Sequence, residues 1–143
     1  MGEYHHNIDD KNRLIVPSKF REKLGDTFIV TRGLENCLFV YSTEDWERIV
    51  KKLESLPFTR KDARKFMRFF LSGATNLEFD KQGRITISSP LLSHANIKKE
   101  CVIIGVGERV EIWGLEEWEK FFDDSKEDIS DIAENLFDES VVM

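Results

Sequence analysis

The sequence predicts an α+β domain that is built from one module written twice. Residues 9–13 read Asp-Asp-Lys-Asn-Arg and residues 80–84 read Asp-Lys-Gln-Gly-Arg, so each segment opens with an aspartate and places an arginine four residues later. Downstream positions match in the same order, and the clearest pairs are Gly33 with Gly105, Tyr41 with Trp113, and Trp46 with Trp118. A run that keeps its order and chemistry over about half the chain indicates a duplicated module.

The first copy predicts four strands, a helical turn and two helices. Segments rich in alternating or β-branched residues predict strands over 3–8, 13–16, 28–31 and 38–41, with a helical turn over 19–24. An i, i+3, i+4, i+7 apolar stripe after Ser42 predicts a helix that ends at Pro57. The pattern Thr59-x-x-Asp62 is typical of a capping box, so a second helix is expected from there to Gly73.

The second copy repeats these elements. Its strands are expected over 74–79, 84–87, 101–105 and 110–113, followed by a helix that carries Trp118 and a last amphipathic helix around Ile129. A frayed tail is expected after that helix. The predicted domain organisation is a first module with its helix over 1–56, a connecting helix over 57–73, a second module with its helix over 74–122, and an acidic C-terminal helix and tail over 123–143.

The net charge of −6 is unevenly distributed along the chain. Residues 114–143 carry eleven Asp and Glu against two Lys, whereas residues 1–113 carry nineteen Lys and Arg against sixteen Asp and Glu. A modestly basic body with an acidic C-terminal part can bind nucleic acid through a local patch. No apolar run approaches the ~18 residues of a membrane span, and the N-terminus does not resemble a signal segment, so a cytoplasmic protein is expected.

The two motif segments are expected to be tight turns. Asp9 and Asp80 can each accept a hydrogen bond from a backbone N–H group two residues on, which pins a turn. The residue before the arginine is Asn12 in the first copy and Gly83 in the second. Because Asn and Gly tolerate positive φ better than other residues, both turns are expected to require a left-handed residue at this position.

Arg13 and Arg84 follow these bends directly, and Lys11 and Lys81 add positive charge to the same loops. A guanidinium group binds phosphate or the guanine edge through two parallel hydrogen bonds, so the arginines are candidates for DNA contact. The alternative is that each arginine pairs with the aspartate four residues before it and only buttresses the turn. The residues themselves leave both interpretations open.

Metal, redox and catalytic chemistry find little support in the sequence. His5 and His6 are adjacent, so in a strand they point to opposite faces and cannot easily share a metal. Cys37 and Cys101 lie in apolar strand-like runs, where a buried free thiol is expected. The serines do not lie in a nucleophile-elbow pattern. The prediction is a protein that is not an enzyme and that uses no metal or cofactor.

The chain resembles the bacterial MraZ proteins over nearly its whole length. The segments that carry the resemblance are 2–17 (GEYHHNIDDKNRLIVP), 32–38 (RGLENCL), 70–74 (FLSGA), 80–84 (DKQGR) and 111–113 (EIW). The resemblance implies two AbrB-like modules that form a duplicated swapped-hairpin, double-psi-type β-barrel with added helices in each repeat. It also implies a sequence-specific transcriptional regulator that binds promoter-proximal direct repeats in double-stranded DNA and represses its own division and cell-wall operon.

The resemblance further implies a ring homo-oligomer, commonly of eight subunits, and association with the nucleoid. It makes Arg13 and Arg84 the motif arginines that approach DNA. The further basic candidates are Lys11, Lys19, Arg21 and Lys81. The second copy has Pro90 and Leu92 where the first has Lys19 and Arg21, so the first repeat is expected to carry more of the DNA-facing charge.

Two other functions are compatible with the same residues. An antitoxin-like protein would bind DNA with its β modules and hold a protein toxin with its acidic C-terminal helices. A non-DNA oligomeric scaffold would use Arg13 and Arg84 only as partners of Asp9 and Asp80.

Overall fold

The computed structural model describes residues 1–137. The first repeat contains β1 (Glu3–Asn7), β2 (Arg13–Ile15), α1 (Ser18–Leu24), β3 (Thr27–Arg32), β4 (Cys37–Ser42), α2 (Thr43–Glu54) and α3 (Lys61–Ser72). The second repeat contains β5 (Thr75–Glu78), β6 (Arg84–Thr86), α4 (Ser89–Ala95), β7 (Glu100–Val106), β8 (Arg109–Gly114), α5 (Leu115–Ser125) and α6 (Ile129–Leu136). The same order of elements thus occurs twice in a mixed α+β fold, as the sequence predicts, while the end of the expected frayed tail, 138–143, lies outside the described residues.

The two repeats share one six-stranded antiparallel sheet with the strand order β1-β7-β8-β4-β3-β5. Strand β1 of the first repeat pairs with β7 of the second, and β5 of the second repeat pairs with β3 of the first. Strands β4 and β8 pair at the centre, so a pseudo-two-fold axis passes between them. Each repeat therefore completes its part of the sheet with a strand from the other repeat.

A second sheet consists of β2 and β6 alone, one strand from each repeat, and is called the ribbon below. Leu14 faces Ile85 in the ribbon register, and their exposed fractions are 0% and 1%. Both belong to an inner core that takes side chains from the ribbon and from the large sheet, including Phe20, Phe28 and Ile103. The inner core thus anchors the ribbon, and with it the turns that lead into its two strands.

A second apolar cluster, the outer core, lies under helices α2, α3 and α5. It includes Phe39, Tyr41, Phe70 and Trp113. Side chains of β4 alternate between the two clusters, since Leu38 and Val40 point into the inner core while Phe39 and Tyr41 point into the outer core. This period of two is the one that a strand buried on both faces requires.

The capping box predicted at Thr59 is wrong. Helix α3 begins at Lys61 with Arg60 as its N-cap, and no side chain caps it. The Arg60 N–H group donates to Pro57 O at 3.1 Å, and this turn delays the helix by one residue. Asp62 therefore lies one position too early in the helix to reach back to the cap N–H group, as a capping box requires.

The part of the chain that the structure describes contains few groups that could support redox chemistry, metal binding or membrane insertion. Cys37 and Cys101 are free and buried, as predicted. Burial raises the pKa of Cys37 to about 12 and that of Cys101 to about 11, so both thiols stay protonated at neutral pH. Over residues 1–137, no helix combines the length and the hydropathy that a membrane span requires, and no group of three His, Cys, Asp or Glu could hold a metal ion.

Candidate nucleic-acid interface

The two motif segments form turns with the same backbone hydrogen bonds. In the first turn, residues 9–13, the Asn12 N–H group donates to Asp9 O at 3.0 Å. In the second turn, residues 80–84, the Gly83 N–H group donates to Asp80 O, also at 3.0 Å. Asn12 has φ +61° and Gly83 has φ +77°, which confirms the predicted left-handed residue in both turns.

Each aspartate organises its turn with both carboxylate oxygens. Asp9 Oδ1 accepts from the Lys11 and Arg13 backbone N–H groups at 3.0 and 2.8 Å, and Asp9 Oδ2 accepts from Arg13 Nε at 2.7 Å. Asp80 makes the matching bonds to the second turn, with Arg84 Nε donating at 2.8 Å. The buttressing interaction that the sequence left open is therefore present in both turns.

These bonds use only one nitrogen of each guanidinium. A guanidinium carries five N–H donors in a fixed plane, so a bond through Nε orients the group and leaves its Nη donors for another partner. The side chains of Arg13 and Arg84 remain 31% and 23% exposed. Arg84 Nη1 also lies 4.0 Å from Asp9 Oδ2, so the two turns are in contact across the pseudo-two-fold axis. The buttressing bond and a contact to an outside anion are compatible.

The outer face of the ribbon continues the surface of the turns. Arg13 faces Thr86 and Ile15 faces Arg84 in the ribbon register, while the residues between them point into the inner core. Ile15 is 43% exposed although it is apolar. Sequence reasoning did not select Ile15 or Thr86, although the alternation of exposed and buried positions along 13–15 and 84–86 carried the signal. The ribbon therefore presents two arginines and two methyl-bearing side chains on one face.

Hydrogen bonds from the backbone hold the pKa of both turn carboxylates below the usual value. The largest cause is the Arg13 N–H group for Asp9 and the Arg84 N–H group for Asp80. A carboxylate with a lowered folded-state pKa contributes stability above its unfolded pKa of about 3.9, and this contribution is lost as pH falls through the folded-state pKa. The turns are therefore expected to weaken in acid below about pH 4.

The comparison of wild type with an Asp9→Asn/Asp80→Asn variant tests this expectation. Wild type is expected to be more stable near pH 7, and the difference in unfolding midpoint should shrink below about pH 4 as its own carboxylates become neutral. Chemical denaturation from pH 7 to pH 3 measures this difference. A difference that stays constant down to pH 3 would contradict the role given to the charged carboxylates.

The other basic candidates occupy different places. Lys11 and Lys81 are exposed on the first and second turns. Lys19 donates from Nζ to Met1 O at 3.0 Å, which places its ammonium group at the start of β1 rather than at a turn. Arg21 belongs to the first repeat by sequence, yet its guanidinium lies against Gly83 of the second turn. The exchange of strands therefore brings a basic residue of the first repeat to the turn of the second.

Gly83 is required by this packing. A Cβ atom at Gly83 would lie 1.7 Å from Arg21 Nη1, and its φ of +77° is unfavourable for any residue with a side chain. Gly83→Ala is expected to cost about 1–2 kcal/mol of unfolding free energy and to displace Arg21. Asn12→Gly is the matched control, since Asn12 already has positive φ, and it should stay within about 0.5 kcal/mol of wild type. Thermal unfolding measures both, and equal stability of the two variants would contradict this account.

Comparison with known proteins identifies relatives of the chain. The sequence model of a family described as "MraZ protein, putative antitoxin-like" matches residues 1–69 and again residues 70–140. The two matches meet inside α3, so each contains one of the two turns. A protein named "Transcriptional regulator MraZ" from Ligilactobacillus salivarius (strain UCC118) is 56% identical over 138 residues, which is 96% of this chain and 96% of that relative.

Proposed function

The chain belongs to the MraZ family, and from this premise we propose that it regulates transcription by binding duplex DNA with the two turns and the ribbon between them. The observation that carries the proposal is the pair of aspartate-held arginines on one face of a two-stranded ribbon. In this proposal Arg13 and Arg84 contact DNA, with Lys11, Lys81 and Arg21 beside them. Asp9, Asn12, Asp80 and Gly83 form the turns, and Lys19 contributes only long-range charge.

The size and chemistry of the ribbon support this proposal. The major groove of B-DNA is about 12 Å wide and admits a two-stranded β-ribbon, whose strands are about 4.8 Å apart. A guanidinium oriented by a bond through Nε can direct its Nη donors at the guanine edge or at phosphate. Ile15 and Thr86 offer methyl groups of the kind that contact thymine. The arginines thus supply both affinity and base recognition, and the ribbon supplies the spacing.

A single subunit has few basic groups on this face, so we propose that several subunits bind together. Linked sites raise the overall affinity far above that of one site when the geometry allows simultaneous contact. The proposed assembly is a closed homo-oligomeric ring of about eight subunits, which is the size that the MraZ resemblance implies. The proposed targets are promoter-proximal direct repeats upstream of its own division and cell-wall operon, which the protein would repress as a cytoplasmic, nucleoid-associated regulator.

The helices support a head-to-tail contact between subunits. Large apolar side chains are exposed on and beside α3, α5 and α6, namely Phe58, Phe69, Phe122, Ile129, Ile132 and Leu136. Helix α3 carries a basic face with Arg60, Lys61, Arg64, Lys65 and Arg68. Helices α5 and α6 are acidic, with Glu116, Glu119, Asp123, Asp124, Asp131 and Glu134. Two complementary faces on different parts of one chain favour a heterologous interface, which closes into a ring when the rotation permits.

Charge reversal tests this interface. Lys65→Glu/Arg68→Glu on α3 and Asp124→Lys/Asp131→Lys on α5 and α6 are each expected to lower the oligomer mass measured by light scattering. An equal mixture of the two variants should restore the wild-type mass, because each reversed face then meets a reversed partner.

Lys51→Glu/Lys52→Glu on α2 is the control, with the same charge change on a different helix. Unchanged mass in both interface variants would reject the charge-paired interface. A mixture that stays dissociated would reject the head-to-tail arrangement.

The exchange of β1 and β5 between the repeats supports the proposal that the fold is a duplicated AbrB-like swapped-hairpin barrel of the double-psi type. Within that fold, the proposed organisation keeps a first module over 1–56, a connecting helix over 57–73, a second module over 74–122 and a C-terminal segment over 123–143. Exchange of strands would make the two modules inseparable in stability, so expression of 1–73 alone is expected to give an unfolded or self-paired chain.

A titration against the DNA upstream of its own gene tests the proposed function. Fluorescence anisotropy should show tighter binding to that duplex than to a shuffled duplex of equal length, with a slope of log K against log salt of about −4 or steeper. Such a slope corresponds to four or more released counterions. Equal affinity for the shuffled duplex, or a slope near zero, would overturn the proposal.

The antitoxin-like description of the family supports a second candidate, in which α6 and the acidic tail bind a protein toxin. The exposed apolar and acidic residues of α6 would suit that role as well as a subunit contact. Deletion of residues 126–143 separates the candidates by oligomer mass. Loss of the ring favours the subunit contact, whereas an intact ring that still binds DNA favours a separate partner for the tail.

A further inference from the structure

The two turns of one subunit are not equivalent. At the second turn, the Arg21 guanidinium packs on Gly83 and occupies the space that a side chain at this position would fill. A Cβ atom there would lie 1.7 Å from Arg21 Nη1 and 2.7 Å from Arg21 Cζ. At the first turn, the corresponding residues are Asn12 in place of Gly83 and Leu92 in place of Arg21. Leu92 is half-buried and packs against the inner core. A glycine–arginine pair at one turn is therefore an asparagine–leucine pair at the other.

The two turns also differ in charge, and the second turn is the more positive one. The first turn contains two aspartates, one lysine and one arginine, whereas the second contains one aspartate, one lysine and one arginine. Arg21 adds a further positive charge to the second turn. Within residues 1–137, Arg13 and Arg84 each form an ion pair with the aspartate of their own turn, while Arg21 forms none within 4.0 Å. Glu22 and Asp26 line the same groove beside the second turn but are beyond that distance from the Arg21 guanidinium.

A guanidinium that forms no ion pair within 4.0 Å keeps its donors for phosphate or for a guanine edge. Arg21 packs on Gly83 and Arg84 follows Gly83 directly in the chain, so both arginines belong to the part of the surface that would contact DNA at the second turn. The first turn has Arg13 and Lys11 but no counterpart of Arg21. Because an operator mirrors the symmetry of the protein that reads it, two equal turns would bind a palindrome in either direction. Two unequal turns distinguish the ends of a site.

We propose that each subunit binds an asymmetric DNA site in one orientation. The second turn, where Arg21 packs on Gly83, contacts the end of the site that is bound more tightly. The proposal rests on the proposed DNA binding and deepens it. It makes Arg21 a specificity-determining residue for one end of the site. The direct repeats of the proposed function require one orientation for every bound subunit, and the new element is that Arg21 sets it.

The DNA affinity of Arg21 variants tests the contribution of this residue. On the shortest upstream fragment that wild type binds selectively, Arg21→Ala is expected to weaken binding about 10-fold for each engaged subunit. Arg21→Lys keeps the charge but not the planar group on Gly83, so it should recover only part of the loss. Lys23→Ala removes the same charge from the same helix and is the control, because Lys23 Nζ donates to Gly107 O in the hairpin between β7 and β8 and not to a residue of either turn. Equal losses for Arg21→Ala and Lys23→Ala would overturn the role of Arg21.

The orientation of the bound subunit is tested by attaching an iron chelate to the protein and mapping where the chelate cleaves the DNA. Asp26→Cys places an exposed thiol beside the second turn, and the two native thiols are buried and protonated, so the chelate attaches only there. Because a subunit bound in one orientation places the chelate at one end of its site, the cleavage yield at that end is expected to be at least about 5-fold above the yield at the other end. The double variant Asn12→Gly/Leu92→Arg in this background should build a second glycine–arginine pair and bring the two ends toward equal cleavage.

The outcomes separate this proposal from the proposed function. If wild type binds the upstream DNA selectively but cleavage is equal at both ends, the single orientation is rejected and the DNA-binding function stands. If wild type shows no selective binding, the proposed function itself fails. One-ended cleavage that persists unchanged in Asn12→Gly/Leu92→Arg would show that another feature sets the orientation, and would reject the assignment to Arg21.

Discussion

Replacing Arg13 and Arg84 together by alanine is expected to weaken binding to the upstream DNA by at least about 100-fold, without unfolding the protein. Each arginine supplies a bidentate group that is held in place by the aspartate of its turn. A good bidentate contact discriminates by about 1–3 kcal/mol, and in the proposed ring several subunits would lose the contact at once. The stability cost should be small, because both ion pairs are partly exposed to solvent.

Anisotropy titration measures the loss, and light scattering on the same sample checks that the oligomer is intact. Lys23→Ala/Arg48→Ala removes two positive charges elsewhere on the surface and should change affinity less than about 3-fold at moderate salt. Arg13→Lys/Arg84→Lys separates charge from geometry, since lysine keeps the charge but lacks the planar fork. Binding that survives in an intact double-alanine oligomer would assign the arginines to the structure of the turns alone.

The substitution Leu14→Ala is expected to destabilise the fold by about 2–5 kcal/mol. Leu14 is fully buried opposite Ile85 at the centre of the ribbon, where one strand of each repeat meets. Removing its side chain leaves a cavity in the inner core, and the neighbours cannot collapse into it without moving the ribbon. Because the ribbon leads into both turns, DNA affinity should fall together with stability.

Chemical denaturation measures the change in unfolding free energy. Ile15→Ala is the matched control, because Ile15 is the next residue of the same strand and is 43% exposed on the outer face. That variant should lose less than about 1 kcal/mol. Ile85→Ala should behave like Leu14→Ala, since the two residues occupy equivalent positions. A loss for Leu14→Ala as small as that for Ile15→Ala would contradict the view that the inner core anchors the ribbon.

The conformation of the turns could be predicted from the sequence because its causes are local. Asp9 and Asp80 bond to backbone groups two and four residues away, and the positive φ of Asn12 and Gly83 follows from the residue types. The ion pairs of the two arginines were one of two interpretations that the spacing left open, and the structure contains them. The helix stripes and the two buried faces of β4 likewise follow from short-range periodicity.

The exchange of strands could not be predicted from the pattern of single residues. Which strand pairs with which is decided by contacts far apart in sequence, such as those between β1 and β7. The position of Arg21 depends on that exchange, so its place beside the second turn was not visible in a segment that reads as part of the first repeat. The start of α3 was missed for a smaller reason, since a backbone turn at Pro57 outcompeted the capping pattern at Thr59.

The most direct test of the account is to ask which residues touch DNA. A photo-cross-linking amino acid is placed at Asp10 in the first turn, at Gln82 in the second turn, and at Glu108 in the exposed hairpin between β7 and β8 as the control. If the two turns form the DNA interface, both positions are expected to cross-link to the upstream duplex, in competition with unlabelled upstream DNA, and Glu108 is expected to give no cross-link above background. Cross-links confined to Glu108, or absent from both turns while wild type binds, would contradict the account.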